Sequence, residues 1–211
     1  MISHEYKCIF VHIPRTGGSS IESLLVGKNW WSIDKKTKHL TASQTRRIYR
    51  EYWDDYYKFA FVRNPYDRAV SLLNFAKTYY NYSISDLLTH FHLDGYKELF
   101  GAPLTLEYDY RFWTREEVLS VSHETNQVYG NILDEELDFV GRFENLQEDL
   151  NYVLSKIVFS KENLSHLAAS KIKKPDKDYF YADDAVKNIV KELYYNDFKR
   201  FGYQMDWKKK C

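Results

Sequence analysis

An α/β fold is expected for this chain because two short apolar runs, Ile9–Ile13 and Phe59–Arg63, each pass directly into a helical segment. A third run, Asp138–Gly141, precedes a further helix at Asn145–Lys156. Runs of this length that are rich in β-branched and aromatic residues read as buried strands, and strands alternating with helices imply a parallel sheet. In open α/β sheets ligands bind at the carboxyl ends of the strands, so the junctions themselves are where function is sought.

The first junction reads Pro14-Arg15-Thr16-Gly17-Gly18-Ser19-Ser20. The Gly-Gly pair lets the backbone turn tightly and approach a ligand closely. Ser19 or Ser20 is expected to cap a helix running through Leu25, whose free N–H groups and dipole favour an anion. Arg15 supplies fixed positive charge, and Thr16, Ser19 and Ser20 supply hydroxyl donors. A plain Gly turn and capped helix with a surface arginine fits the same residues.

Next, Thr41-Ala42-Ser43-Gln44 reads as a capping box opening a helix to about Tyr57, which places His39 immediately before a helix N-terminus. At the second junction Asn64 is a good N-cap and Pro65 is favoured at the first helical position, so Arg63 sits at the strand end. Ala69, Leu72, Leu73 and Ala76 follow the spacing of a buried stripe, while Asn64, Arg68 and Ser71 form a polar one. Ser71 lies about two turns into the helix, within reach of an anion shared with Arg63; an ion-paired strand-end arginine and a solvated helical serine fit the same residues. From about residue 78 to 130 the chain is rich in Tyr, Phe and His without a clean period and is expected to form a lid or acceptor wall, with a short helix over Ser83–Phe91. The stretch Ser170–Lys177 is a charged loop, and Val186, Ile189, Val190, Leu193 and Asp197/Phe198 mark a final amphipathic helix with one late polar slot.

Pro14–Ser20 resembles the 5′-phosphosulfate loop of the sulfotransferases that use 3′-phosphoadenosine 5′-phosphosulfate (PAPS), usually Pro-Lys-Thr-Gly-Gly-Thr-Ser. Val62-Arg63-Asn64-Pro65-Tyr66-Asp67-Arg68, with Ser71 following, is similar to their 3′-phosphate motif. Phe139–Leu146 with Asp149, and Tyr194–Tyr203, resemble two further blocks of the carbohydrate (Golgi-type and bacterial) branch. The resemblance spans Ile9 to Tyr203. It implies a three-layer α/β/α fold with a central parallel sheet, like that of P-loop nucleoside triphosphate hydrolases, and transfer of a sulfuryl group from PAPS to an acceptor hydroxyl with release of 3′-phosphoadenosine 5′-phosphate (PAP). The acceptor it implies is a carbohydrate or glycoconjugate. By the same resemblance Arg15, Thr16, Gly17, Gly18, Ser19 and Ser20 grip the 5′-phosphosulfate, and Arg63 and Ser71 grip the 3′-phosphate; separately, no metal is expected, because no ligand set stands at a telling spacing. The family's loop lysine, which contacts the bridging oxygen and helps the phosphate leave, is Arg15 here; arginine keeps the charge but is bulkier and not an equivalent point charge.

His39 is the candidate base, because Lys38-His39-Leu40-Thr41-Ala42 is similar to a segment that often carries the base in the carbohydrate branch; a surface histidine before a helix cap fits the same position. A hydroxyl is a poor nucleophile until a neutral imidazole accepts its proton, and a helix N-terminus favours the neutral form. His12 reads as a core or cleft histidine, and Glu144 and Asp149 as capping and pairing groups of the helix after the third strand. His90 and His92 alternate as strand residues would, but no third ligand stands at a telling spacing. His166 and Lys171 fit either a closing segment or a solvated loop.

Composition agrees with one domain over 1–211: 44% hydrophobic and 18% aromatic content suffices for one core, and no Pro/Gly/Ser-rich linker divides the chain. Lys+Arg and Asp+Glu balance at 30 each, so no global field marks a nucleic-acid binder and any anion site is local. No apolar run approaches the roughly 18 residues of a membrane span. With only Cys8 and Cys211 present no disulfide framework is implied, which fits a reducing cytosol; since animal members of the branch it resembles are usually membrane-anchored in the Golgi, the resemblance implies a cytoplasmic enzyme of bacterial or viral type, or a trimmed catalytic domain. Two other readings stay open. A nucleotide kinase of related fold lacks its Gly-x-x-x-x-Gly-Lys-Ser/Thr loop, and a catalytically weak PAPS- or polyanion-binding protein is motivated by Arg15.

Overall fold

The computed structural model describes residues 1–80, 114, 129–157, 177, 181, 182 and 184–207. Its sheet has four strands in the order β1 (Ile2–Ser3), β2 (Cys8–Val11), β3 (Tyr57–Val62) and β4 (Phe139–Arg142). β1 runs antiparallel to β2, and the two remaining pairings are parallel, with Val11 beside Ala60 and Val62 beside Arg142. The helices are α1 (Gly18–Val26), α2 (Ala42–Ile48), α3 (Pro65–Tyr80), α4 (Tyr129–Ile132), α5 (Leu146–Lys156), α6 (Asp184–Leu193) and α7 (Tyr195–Arg200). Single 3₁₀ turns stand at Trp30–Ser32, Lys35–Thr37 and Phe143–Asn145.

The central strands are apolar on both faces, as burial on both sides requires. Phe10, Phe59 and Phe61 meet Ile21 and Leu25 of α1 and Leu150 and Val153 of α5. On the opposite face Val11, Ala60 and Val62 meet Ala42 of α2 and Tyr129 and Ile132 of α4. A third cluster joins Ala69, Val70 and Leu72 of α3 to Val186 and Val190 of α6 and to Phe198 of α7. Among the described residues no helix is long and apolar enough to cross a membrane.

Three boundaries differ from expectation. α1 begins at Gly18 without a side-chain cap, because Gly17 takes the N-cap position in the left-handed conformation; Ser19 and Ser20 lie inside the first turn rather than capping it. α2 stops at Ile48 rather than near Tyr57. From there successive turns, Tyr52 to Tyr49 and Tyr56 to Tyr52, lead the chain to β3, where the Tyr57 amide donates to the Lys7 carbonyl at 3.0 Å. The final helix is two, divided at Tyr194, whose side chain is fully buried. β1 was not anticipated. The side chains of Leu73 and Ala76, the Ser83–Phe91 helix and nearly all of the 78–130 region lie outside the described residues.

Gly141 tests the sheet packing, since a Cβ there would stand 2.5 Å from the Phe61 ring and 2.9 Å from the Phe139 ring. Gly141→Ala should therefore cost about 1–3 kcal/mol, the usual range for overpacking. A urea denaturation midpoint equal to that of the wild type would show that the two rings yield freely.

Candidate active site

Beyond β2 the chain curls through two left-handed residues, Arg15 (φ 70°) and Gly17 (φ 86°). For a non-glycine residue that conformation is strained by about 1 kcal/mol or more. Thr16, fully buried, braces the curl by donating its hydroxyl to the Ile13 carbonyl at 2.9 Å. Both glycines are required by space as well. A Cβ at Gly17 would press on the Phe143 ring at 3.1 Å and on Leu146 at 3.2 Å, and one at Gly18 would lie 2.2 Å from His12 Nε2. Among the described residues no side chain caps α1; the Ser20 amide donates to the Gly17 carbonyl at 3.1 Å, and the helix N–H groups before it are of the kind that suits an anion.

The second loop starts as the sequence anticipates. Asn64 Oδ1 accepts the Tyr66 amide at 3.0 Å, and Pro65 opens α3. The Tyr129 hydroxyl fixes Arg63 by donating to its carbonyl at 2.7 Å and accepting from its amide at 3.0 Å. The Arg63 guanidinium lies 4.4 Å above the Phe143 ring, and one of its terminal nitrogens donates to the Arg15 carbonyl at 3.3 Å. Its Nε is buried and has no hydrogen-bond partner among the described residues. Burial draws the Arg63 pKa down, opposed by Asp67; arginine nevertheless stays charged.

The two loops meet. Arg15 Nε donates to Ser71 Oγ at 3.0 Å, with the Arg15 guanidinium 5.1 Å over the Phe75 ring. Arg15, Arg63 and Ser71 thus form one donor cluster at the strand ends, although the described partner of Ser71 is Arg15 rather than Arg63. Ser19 is exposed and Ser20 half-buried at the start of α1.

His39 is placed against the first loop. Its Nδ1 stands 3.1 Å from the His12 carbonyl, its ring centroid is 4.7 Å from that of His12, and Trp31 closes another side at 5.6 Å. Burial, then the neighbouring His12, draws its pKa down to about 3, so the ring is neutral. The neutral form was expected from the helix terminus; burial is the larger cause. The Thr41–Gln44 capping box behind it is formed in both directions.

His12 belongs to a buried charge cluster that the sequence reading missed. Glu22 Oε1 lies 2.5 Å from His12 Nδ1, and Glu22 Oε2 accepts from Lys38 Nζ at 2.5 Å and from the Trp30 amide at 3.0 Å. Lys38 also donates to Asn29 Oδ1 at 2.8 Å. Burial by itself would raise the Glu22 pKa, but the bonds from His12, Lys38 and Trp30 hold it down at about 2. A signal existed: Gly18, Ile21, Glu22 and Leu25 are the buried residues of α1 and follow i, i+3, i+4, i+7. A carboxylate on that stripe demands buried donors.

Glu144 does not cap α5. One of its oxygens accepts the Asn64 amide at 2.7 Å and the other the Tyr203 hydroxyl at 2.9 Å, while Asp149 accepts the Arg142 amide at 2.5 Å. His90, His92, His166 and Lys171 lie outside the described residues. Among the described residues no group of three or more His, Cys, Asp or Glu is placed to hold a metal.

A mostly parallel sheet whose strand-end loops bring two arginines, a serine and a helix start together defines an α/β protein with its donor cluster at the edge where such sheets commonly bind ligands. The chain belongs to the sulfotransferase family, whose model matches residues 1–204. Neither the curated proteins nor the solved structures give a significant match.

Glu22→Ala would leave Lys38 buried without its carboxylate and should cost about 3–5 kcal/mol, measurable by urea denaturation. The ordinary pKa of 4.5 falls to about 2 in the folded chain. The Glu22 contribution is therefore complete above the ordinary value and lost as pH falls toward the folded one. A Glu22→Ala loss below about 1 kcal/mol would show that the cluster is solvated.

Proposed function

We propose that this chain transfers the sulfuryl group of PAPS to a hydroxyl of a carbohydrate or glycoconjugate acceptor and releases PAP. The observation that carries the reading is the buried Nε of Arg63, which has no hydrogen-bond partner among the described residues and is held beside Arg15 and Ser71 at the carboxyl edge of the sheet. A buried guanidinium nitrogen left without an acceptor is costly unless an anion completes it. The uncapped start of α1 supplies a second set of donors, and PAPS is an anion with phosphates at both ends.

In this reading Arg15, the loop amides of Thr16–Gly18, Ser19 and Ser20 hold the 5′-phosphosulfate, and Arg63 with Ser71 holds the 3′-phosphate. His39 Nε2 takes the acceptor proton as the new O–S bond forms, and the electron pair of the breaking S–O bond passes to the bridging oxygen on phosphorus. Arg15 and the α1 amides face that developing charge. Catalysis rests on positioning and on preorganised donors. Helices on both faces of the sheet support a three-layer, P-loop-like arrangement over a single domain, 1–211, with the 78–130 region as acceptor wall. The low cysteine content supports a cytoplasmic setting.

The competing reading is a PAPS- or polyanion-binding protein that turns over poorly. Arg15 favours it, since its Nε is engaged by Ser71 and it stands where the family's usual loop has lysine. A nucleotide kinase is disfavoured by the lack of a triphosphate loop.

PAP at a hundredfold excess over its dissociation constant should stabilise the chain by about 2.7 kcal/mol, read as a rise in Tm, and ADP should do far less. Arg63→Ala should weaken PAP by roughly 2–4 kcal/mol and Ser71→Ala by roughly 1 kcal/mol. Equal shifts with PAP and ADP, or a requirement for Mg²⁺, would turn the assignment to a kinase.

His39→Ala should leave PAP affinity within about threefold while turnover falls by about 10²–10⁴. Because the pKa of His39 lies near 3, the base is unprotonated at every working pH. The wild-type rate should then be flat between about pH 5 and 8 in any limb due to this residue. A His39-dependent limb with its midpoint at the ordinary histidine value would contradict the burial argument.

A further inference from the structure

We propose that Lys38, Glu22 and His12 form a buried positioning chain for His39, fixing which of its nitrogens faces the acceptor and how far that nitrogen stands from the phosphate loop. The inference rests on His39 being the base.

The four groups are joined in series. Lys38 and Glu22 are 2% and 0% exposed and share a 2.5 Å contact, and the other Glu22 oxygen meets His12 Nδ1 at the same distance. Facing an ionised carboxylate, His12 carries its proton on Nδ1, and its ring is pinned. Its remaining sides touch the two halves of the proposed site. Nε2 stands so close to Gly18 that a methyl there would lie 2.2 Å away. The backbone carbonyl meets His39 Nδ1 at 3.1 Å. A carbonyl only accepts, so the His39 proton sits on Nδ1 and Nε2 is left as the acceptor atom. The His12 and Trp31 rings flank the imidazole edge-on, with centroids 4.7 Å and 5.6 Å from that of His39.

One rigid residue therefore spans from the first turn of α1 to the base. This accounts for the burial of a lysine and a glutamate that a hydrophobic pair would replace at little loss of stability. Lys38 neutralises the carboxylate, so the chain orients His39 without adding net charge beside an anionic donor. Asn29 and the Trp30 amide complete the donors and acceptors around the pair. Lys38, Glu22 and His12 are positioning residues, since none of them is placed to touch the reacting atoms.

The test is the tautomer of each imidazole, read from long-range ¹H–¹⁵N spectra of protein labelled at histidine and assigned with His12→Gln and His39→Ala. In the wild type His12 and His39 should both be Nδ1–H across about pH 5 to 8. In Glu22→Gln the His39 signals should move toward a tautomer average, while PAP affinity by calorimetry stays within about threefold of wild type. His39 found as Nε2–H in the wild type overturns the proposal with no variant required, which decides the matter if Glu22→Gln fails to fold. A folded Glu22→Gln whose His39 keeps the wild-type tautomer overturns it equally. Failure of the wild type to bind PAP would sink the sulfotransferase reading and leave the tautomer result standing by itself, so the two failures are distinguishable.

Discussion

Parallel pairing of β2 with β3 and of β3 with β4 is the constraint from which the candidate site follows. Because the three strands run the same way in near register, the loops after Val11, Val62 and Arg142 leave the sheet along one edge. Arg15, Arg63 and Phe143 come from segments as far apart as 128 positions in sequence (143 − 15), yet the edge places them in contact. Without that pairing the Gly17-Gly18 turn and Arg63 would be two unrelated surface features.

The edge is then locked by buried polar groups from the rest of the chain. Arg68, fully buried in α3, donates Nε to the Pro14 carbonyl at 3.0 Å and stacks 4.9 Å from the Tyr129 ring. Tyr194 accepts from the same guanidinium at 3.3 Å. Asp197 of α7 caps α4 through the Tyr129 and Gly130 amides at 2.8 and 2.9 Å, which holds the hydroxyl that grips Arg63. Burial pushes the Asp197 pKa up, opposed by those two amides. Preorganisation of this kind spares the binding step the ordering of loops and long side chains. The C-terminal segment serves the site without being part of it.

Local signals were legible in the sequence. The three parallel strands, the Asn64-Pro65 helix start, the Thr41 capping box and the buried stripe of α3 at Ala69 and Leu72 follow from periodicity and capping chemistry. The conflicts arose where a long-range contact overrode a local preference. Ser19 and Ser20 are good caps, but the clearance at Gly17 and Gly18 puts glycine at the N-cap. Arg46-Arg47-Ile48 is compatible with further helix, but the chain leaves it at Tyr49 and passes through successive turns to the long-range pairing of Tyr57 with Cys8. Glu144 sits before a helix yet spans from Asn64 to Tyr203, 59 to 80 positions away. The Lys38–Glu22–His12 cluster escaped notice because each member reads as ordinary alone; only the buried spacing of Glu22 on α1 hints at it. The same cluster holds His12 in contact with both the Gly17-Gly18 turn and His39.

In the proposed function one nucleotide spans both loops, and a crystal structure with PAP measures this most directly. The 5′-phosphate should lie against the Arg15–Ser20 loop at the start of α1, and the 3′-phosphate should be bonded by Arg63, with Nε donating to it, and by Ser71. The 5′ end should open toward His39. A nucleotide whose 3′-phosphate lies free of Arg63 and Ser71, or which binds away from the carboxyl edge of the sheet, would contradict it.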